Sequence, residues 1–386
     1  MLLDALLRNA QADPGRVAIV DDSGSYPTRT LAGMAFGIGA LLKQKTQRDT
    51  VGLLLPAGAA FVAGFYGTLM SGKIAVPINF LLGPKEVGHI LKDSGIDTVL
   101  TIPFLAGRLE GSGVNVIDMA QLSGQLPPPG PFEIPTPAAA DTATILYTSG
   151  TSGLPKGVCL TQGNLQSDVE ACIKKARLLG EHTFLGIIPL FHSTGMLATM
   201  LAPTTLGAKA VYIARFSPAA TLKAMREHNV SVLTGVPSMY GALARLKDAT
   251  PEDFQKVYVC LSGGEPLPGQ IREGFLQRFG VRLMEGYGLT ETIGPIAFNT
   301  PDDYEAGSVG QPIPGAEVKF LDDNDQEVPV GQTGEVLLRG PMIMKGYHNL
   351  PDETAKALTA DGYFRTGDLG MIDAKGFLHI TGRKKD

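Results

Sequence analysis

The sequence predicts an α/β fold with two helix-flanked, mainly parallel β-sheets packed together and a smaller antiparallel, β-barrel-like subdomain. Strand and helix patterns alternate over residues 1–306, as they do in parallel sheets covered by helices. From Gly307 onward, short strands follow one another with turn residues between them, which indicates antiparallel structure. The chain has 386 residues, of which 44% are hydrophobic and 18% charged, so it can bury more than one core.

In the alternating part, short apolar runs predict buried strands and amphipathic stretches predict helices. Helices are predicted over residues 2–10, 30–42, 59–70, 84–93, 219–228, 238–246 and 269–279. Strands are predicted over residues 17–20, 51–55, 98–101, 144–147, 210–213, 231–233 and 256–261. The proline-rich stretch 125–140 has no periodicity and is interpreted as a surface connection between subdomains.

In the β-rich part, residues 307–386, the predicted strands are closely spaced. They cover residues 317–321, 334–339, 367–372 and 377–381. Two runs rich in aspartate, asparagine or glycine, 322–325 and 373–376, are predicted to form tight turns.

The composition excludes several classes of protein. The net charge is -5 and the lysines and arginines do not cluster, which argues against a nucleic-acid partner. The three cysteines are scattered, so they provide neither a disulfide framework nor a zinc motif, and they fit a cytoplasmic protein. Proline and glycine interrupt the two long uncharged stretches, 50–72 and 183–208, so we expect no integral membrane span.

A loop rich in glycine and hydroxyl residues is the strongest local signal. It lies between a predicted strand and the apolar segment 158–160, and its residues are Tyr147, Thr148, Ser149, Gly150, Thr151, Ser152, Gly153, Leu154, Pro155, Lys156 and Gly157. Glycines expose backbone N–H groups, hydroxyls donate hydrogen bonds, and Lys156 adds a mobile positive charge. The spacing differs from that of the common P-loop. The pattern predicts a phosphate-binding loop of another kind.

This loop resembles the signature of the acyl-adenylate-forming enzymes, a family that includes acyl-CoA synthetases, peptide-synthetase adenylation domains and firefly luciferase. Five further motifs follow in the order of that family. They are Pro189-Leu190-Phe191-His192, Ser262-Gly263-Gly264-Glu265-Pro266-Leu267, Tyr287-Gly288-Leu289-Thr290-Glu291, Arg365-Thr366-Gly367-Asp368 and Gly382-Arg383-Lys384-Lys385-Asp386. The resemblance covers the whole chain and is greatest to the fatty acyl-CoA synthetases.

The resemblance implies that the chain transfers AMP from ATP to a carboxylic acid and releases pyrophosphate. Such catalysis consists mainly of positioning the reactants and neutralising charge. Glu291 is the implied Mg²⁺ ligand, Thr290 the implied partner of the α-phosphate, and Lys156 a phosphate ligand. Simple helix capping is the alternative for the Thr290–Glu291 pair.

The remaining nucleotide contacts are also implied by the resemblance. Tyr287 and Gly288 would hold adenine, with the tyrosine ring stacked on the base. Asp368 would accept hydrogen bonds from the ribose hydroxyls, and Arg383 would add a second ribose or phosphate contact. The turn that passes the adenine edge would consist of Gly263, Gly264, Glu265 and Pro266.

The acyl group is expected beside His192, a residue that the resemblance places near the acyl carboxylate and the α-phosphate. The other expected acid-binding residues are Gly235, Val236, Met239 and Gly286. Where peptide synthetases carry Phe-Asp, this chain reads Phe216-Ser217-Pro218, so a fatty or aromatic acid is favoured over an amino acid.

In this family, a small C-terminal domain follows a hinge that corresponds to Asp386 here. Residues 1–386 therefore correspond to the large N-terminal, AMP-binding domain, and we expect weak adenylation and little thioester formation from them alone. CoA is the expected acceptor in the full-length enzyme. Two alternatives stay open, namely an adenylation domain that loads a carrier protein and a nucleotide-binding module without turnover. The oligomeric state is not predicted.

Overall fold

The computed structural model describes residues 2–122, 133–148 and 153–384. Its helices are α1 (Leu2–Ala12), α2 (Thr28–Lys45), α3 (Ala59–Met70), α4 (Pro84–Asp93), α5 (Pro103–Ala106), α6 (Met119–Leu122), α7 (Gln162–Lys175), α8 (Ser193–Met196), α9 (Ala202–Leu206), α10 (Pro218–His228), α11 (Pro237–Leu243), α12 (Gly269–Phe279) and α13 (Pro351–Ala357). Short 3₁₀ turns occur at Gly107–Leu109, Pro251–Phe254 and Thr290–Thr292, and a π-helical turn spans Leu197–Leu201.

A seven-stranded sheet contains the strands on both sides of the glycine–hydroxyl loop. Its order is β18-β8-β7-β4-β3-β5-β6, where the strands are β3 (Thr50–Leu54), β4 (Ile74–Pro77), β5 (Thr98–Thr101), β6 (Asn115–Asp118), β7 (Thr142–Thr148), β8 (Lys156–Thr161) and β18 (Gly346–Tyr347). The pairs from β7 to β6 are parallel, whereas β7–β8 and β8–β18 are antiparallel.

A nine-stranded sheet forms the second layer. Its order is β15-β14-β13-β12-β11-β9-β10-β1-β2, where the strands are β1 (Val17–Asp21), β2 (Gly24–Pro27), β9 (Thr183–Gly186), β10 (Lys209–Tyr212), β11 (Val232–Gly235), β12 (Val259–Ser262), β13 (Met284–Gly288), β14 (Pro295–Phe298) and β15 (Gln311–Pro312). The central strands, from β13 to β1, are parallel, and antiparallel strands close both ends.

A four-stranded antiparallel sheet completes the structure. Its order is β16-β17-β19-β20, where the strands are β16 (Glu317–Leu321), β17 (Gly334–Arg339), β19 (Phe364–Ile372) and β20 (Leu378–Arg383). Among the described residues, β16 and β20 do not pair with each other, so this sheet is open rather than closed into a barrel.

One hydrophobic core joins the three sheets. It contains residues of the seven-stranded sheet such as Leu53, of the nine-stranded sheet such as Phe184, and of the four-stranded sheet such as Val336. Helix α3 is buried almost all round and packs closely on α2. The close approach depends on Gly67, because a Cβ atom there would lie 2.7 Å from the carbonyl oxygen of Ala35.

The predicted fold class is confirmed: two parallel-rich sheets covered by helices accompany an antiparallel sheet. Several elements have the predicted bounds, including α3, α4, α12, β16 and β17. The turn at residues 373–376 links β19 to β20 as expected, and a turn at 322–325 is closed by the Leu321–Glu327 bridge. Part of the predicted connection 125–140, residues 125–132, lies outside the described residues.

Candidate active site

Tyr287 and Asp368 come from different sheets and meet directly. The phenol of Tyr287, in β13, donates to Asp368 Oδ2, in β19, at 2.6 Å. Burial, and then the neighbouring carboxylate, raises the pKa of Tyr287, so the phenol keeps its proton. Arg383 Nε lies 3.6 Å from Asp368 Oδ1 across the β19–β20 pair. The hydroxyl of Thr366 fixes the turn by accepting from the Asp368 N–H at 3.0 Å.

Tyr347 contacts two further predicted residues, one in the turn after β13 and one in β8. Its phenol donates to Glu291 Oε1 at 2.8 Å, and Lys156 Nζ lies 5.4 Å from the centre of its ring. Burial and then the Glu291 carboxylate raise the pKa of Tyr347, so this phenol also stays a donor. Lys156 begins β8 and Tyr347 lies in β18, and the β8–β18 pairing holds them side by side.

A cleft of about 540 Å³, termed the large cleft, opens beside these contacts. It is bounded by the seven-stranded and four-stranded sheets and by α13, and its lining residues are Lys156, Glu335, Tyr347, Glu353, Lys356, Ala357, Arg365, Thr366, Gly367, Arg383 and Lys384. Five of these side chains are cationic and two are acidic, which suits a polyanionic ligand. Predicted residues Lys156 and Arg383 share this cleft, and Thr366 and Gly367 lead directly to Asp368.

Glu291 lies in a strained turn between β13 and β14. The buried residue Ile293 adopts φ 71°, and the Gly294 N–H donates to the Thr292 carbonyl at 2.9 Å, which makes a tight three-residue turn. Such strain persists only where the surroundings enforce it. Here the Thr292 hydroxyl lies within hydrogen-bond distance of the Leu289 N–H, at 2.9 Å, and of the Gly294 carbonyl, at 2.9 Å.

The donor set at Glu291 fits a magnesium ion. Tyr347 donates to one carboxylate oxygen of Glu291, and among the described residues no hydrogen bond or ion pair engages the other. Mg²⁺ usually takes one or two protein carboxylates and completes its coordination with phosphate oxygens and water. Glu291 is a single half-buried carboxylate, and its partner Tyr347 lines the cationic large cleft, so the arrangement matches that preference.

His192 lines a separate cavity of about 130 Å³, termed the small cavity. Thr148 and Thr290 line it too, as do Phe191 and Tyr147. The His192 ring lies 4.6 Å from the ring centre of Phe191, and burial lowers the pKa of the imidazole. The histidine is therefore neutral at pH 7, and it suits orientation of a substrate better than proton donation.

The other residues expected to bind the acid lie near one end of the central strands of the nine-stranded sheet. None of them lines the small cavity. Gly235 ends β11 and its carbonyl accepts from the Gly263 N–H at 3.1 Å. A Cβ atom on Gly263 would lie 3.6 Å from the carbonyl oxygen of Gly286, and one on Gly264, where φ is +83°, would lie 3.7 Å from Val236. Met239 follows within the first turn of α11, whereas Glu265 and Pro266 are exposed.

Four predicted phosphate-loop residues lie outside the described residues: Ser149, Gly150, Thr151 and Ser152. Of the same loop, Thr148 ends β7 and Gly153 is exposed. Gly288 is constrained by its neighbour, because a Cβ atom there would lie 1.9 Å from the Gly294 carbonyl oxygen.

The sequence interpretation missed two residues of this region, Tyr347 and Glu353, which both contact predicted site residues. Ser262, which begins the motif expected beside adenine, has a buried hydroxyl without a partner among the described residues. A signal existed for Glu353, because Pro351-Asp352-Glu353 is a typical acidic first turn of a helix. Nothing local distinguishes Tyr347 from a core tyrosine.

Known proteins similar to this chain are named as ligases that join carboxylic acids to CoA. The family model described as AMP-binding enzyme matches residues 6–348. Sulfoacetate–CoA ligase from Cupriavidus necator is 34% identical over 383 residues, which cover 96% of this chain and 72% of that protein. Long-chain-fatty-acid–CoA ligase from Salmonella typhimurium is 30% identical over 384 residues, which cover 88% of this chain and 68% of that protein.

Solved structures of adenylate-forming enzymes superpose closely on this chain. O-succinylbenzoate coenzyme A synthetase from Bacillus subtilis, in complex with AMP, superposes with a TM-score of 0.89 at 28% identity, covering 99% of this chain and 98% of that one. ATP-bound MatB from Rhodopseudomonas palustris superposes with a TM-score of 0.91 at 26% identity, covering 100% of this chain and 80% of that one. With its site residues gathered from three sheets as described, the chain belongs to the AMP-binding enzyme family of ATP-dependent, acyl-adenylate-forming CoA ligases.

Proposed function

We propose that this protein activates an apolar carboxylic acid, fatty or aromatic, to an acyl-adenylate and passes the acyl group to CoA. One observation carries the proposal: the predicted residues are joined by a chain of contacts. Tyr347 bonds Glu291 and lies 5.4 Å from Lys156, Lys156 shares the large cleft with Arg383, and Arg383 pairs with Asp368, which also accepts from Tyr287. A nucleotide that spans this region would meet a cation, a metal-binding carboxylate, an aromatic ring and a ribose acceptor.

In this proposal the protein contributes position and charge. Lys156 and the cations of the large cleft hold the phosphates, while Thr290 directs a hydroxyl toward the α-phosphate from the small cavity. Magnesium bound at Glu291 would neutralise phosphate charge. Asp368, held by Tyr287 and Thr366, is oriented to accept from the ribose. Neutral His192 would orient the carboxylate that attacks.

The apolar acid is proposed on two grounds. The place where peptide synthetases pair an amino-acid ammonium with aspartate reads Phe216-Ser217-Pro218 here. The expected acid-binding residues Gly235, Val236, Met239 and Gly286 carry no charge. The relatives act on sulfoacetate, ferulate and long-chain fatty acids according to their names, so the acid itself needs measurement.

ATP–pyrophosphate exchange with a panel of acids tests this proposal. The panel contains a long-chain fatty acid, ferulate, sulfoacetate and an amino acid, and exchange is expected with the fatty or aromatic acid. Lys156→Ala and Glu291→Ala should each lower the rate by about 10²–10³-fold, because each removes a charge that stabilises the transition state. Exchange with no acid of the panel, or full activity of both variants, would refute the proposal.

The division into residues 1–306 and 307–386, a cytoplasmic location and weak activity of residues 1–386 alone also remain proposals. No helix among the described residues is both long and apolar enough to cross a bilayer. Comparing thioester formation by residues 1–386 with that of a protein extended at its C-terminus would test the activity of this stretch.

A further inference from the structure

Lys156, the proposed phosphate ligand, already holds an anion of the protein itself. Its Nζ lies 2.7 Å from Glu353 Oε2, and the other oxygen of that carboxylate accepts from Lys356 Nζ at 2.9 Å. The hydrogen bonds from Lys156 and then Lys356 lower the pKa of Glu353 to about 2. The carboxylate is therefore ionised over the whole working range of an enzyme.

The backbone that carries Glu353 is held in place while its side chain is free to leave. Strand β18 pairs with β8, and the His348 N–H donates to the Gly157 carbonyl at 2.7 Å, directly beside Lys156. The Thr354 hydroxyl accepts from the Tyr347 N–H at 2.9 Å and so fixes the first turn of α13. The helix has no buried residue, and the Glu353 side chain is 35% exposed. A rotamer change is enough to move its carboxylate away.

An exposed ion pair of this kind adds little to stability. The ion pair affects the affinity for a phosphate ligand more than it affects the stability of the fold. A phosphate must replace the carboxylate on Lys156 and then lie beside a like charge. The other acidic residue of the large cleft, Glu335, is bound by Arg365 at 3.0 Å and Lys384 at 3.3 Å. Of the two acidic residues that line the large cleft, Glu353 is therefore the one that competes with a phosphate for Lys156.

We infer that Glu353 is an affinity-setting residue, a displaceable anion that occupies Lys156 until the β- and γ-phosphates of ATP replace it. The inference rests on the proposed function. It also predicts a selectivity: Glu353 weakens binding of ATP and pyrophosphate, and it leaves AMP unaffected, because AMP has no phosphates at that position. On the return step, the carboxylate takes back Lys156 as pyrophosphate leaves.

Binding measurements on isosteric variants test this inference. By calorimetry with MgATP, magnesium pyrophosphate and AMP, Glu353→Gln should bind the first two about 3–10-fold more tightly and AMP unchanged, as expected for relief from an exposed charge contact. Asp352→Asn is the matched control, because it removes the same charge from the neighbouring position of α13 and should change none of the three affinities. Thermal unfolding of each variant checks that the fold is kept.

A double-mutant cycle separates this inference from the proposed function. In a Lys156→Ala background, the additional Glu353→Gln change should strengthen ATP binding less than it does in the native background, because the competition for Lys156 is gone. If Lys156→Ala weakens ATP but Glu353→Gln does not strengthen it, or strengthens AMP equally, the inference fails and the proposed function stands. If Lys156→Ala leaves ATP binding unaltered, the phosphate role of Lys156 fails and the inference fails with it.

Discussion

At the scale of single residues, Asp168 is the most unusual group outside the proposed site. It lies in α7, is fully buried, and one of its oxygens has no partner among the described residues. Its other oxygen receives only a weak contact from the Cys172 thiol at 3.8 Å. Burial raises the pKa of Asp168 well above the ordinary value, which favours the neutral carboxyl in the folded protein.

This burial makes stability depend on pH. Below the ordinary carboxyl pKa, both the folded and unfolded states carry the proton and no stability is lost. As the pH rises, the unfolded chain releases the proton first, so stability falls until the raised folded-state pKa is reached. Asp168→Asn should remove this loss and raise the melting temperature by roughly 2–4 °C at pH 8, with little change at pH 4. Glu170→Gln, on the exposed face of the same helix, is the control and should give no such trend. Equal pH dependence in Asp168→Asn and the native chain would contradict the assignment.

At the scale of elements, the turn Thr290–Thr292 with Ile293 places the proposed magnesium ligand. Its shape depends on the Thr292 hydroxyl and on two glycines that let the chain pass closely, Gly288 and Gly294. A Cβ atom on Gly294 would lie 2.2 Å from Leu197 Cδ2, so this turn is packed from both sides. The carboxylate of Glu291 is therefore oriented by packing rather than by local preference.

Thr292→Val is expected to disturb this orientation with little change in volume. The substitution leaves the Leu289 N–H without its acceptor, at a cost of about 1–3 kcal/mol. We expect a several-fold rise in the magnesium concentration that half-saturates exchange. Thr292→Ser keeps the hydroxyl and should restore the native value. A Thr292→Val variant with native magnesium dependence would show that the hydroxyl does not position Glu291.

At the scale of the whole molecule, the proposed nucleotide site lies where all three sheets meet. A ligand that contacts all of them stabilises the entire fold rather than one part. ATP at about 100 times its Kd should add about 2.7 kcal/mol and raise the melting temperature. Asp368→Ala should lose most of that gain, whereas Asp361→Asn, an exposed change near the same sheet, should keep it. Retention of the full shift in Asp368→Ala would remove Asp368 from the site.

The local sequence correctly predicted the helices and strands whose pattern of apolar residues matches the faces that they bury. Helices α3, α4 and α12 and strands β16 and β17 begin and end as expected. Helix α7 was missed because its buried face includes Gln162 and Asp168, which break the apolar pattern. Strands β4 and β9 were missed as well.

The sequence by itself determined the family, because the order and residue types of its motifs are those of the adenylate-forming enzymes. Tertiary structure alone decided which of these groups touch. The bonds Tyr287–Asp368, Tyr347–Glu291 and Lys156–Glu353 join residues 81, 56 and 197 positions apart. Contacts over such separations depend on how the sheets pack and pair. No local pattern of side chains encodes that packing. The ion pair between Lys156 and Glu353 could therefore be identified only from the folded structure.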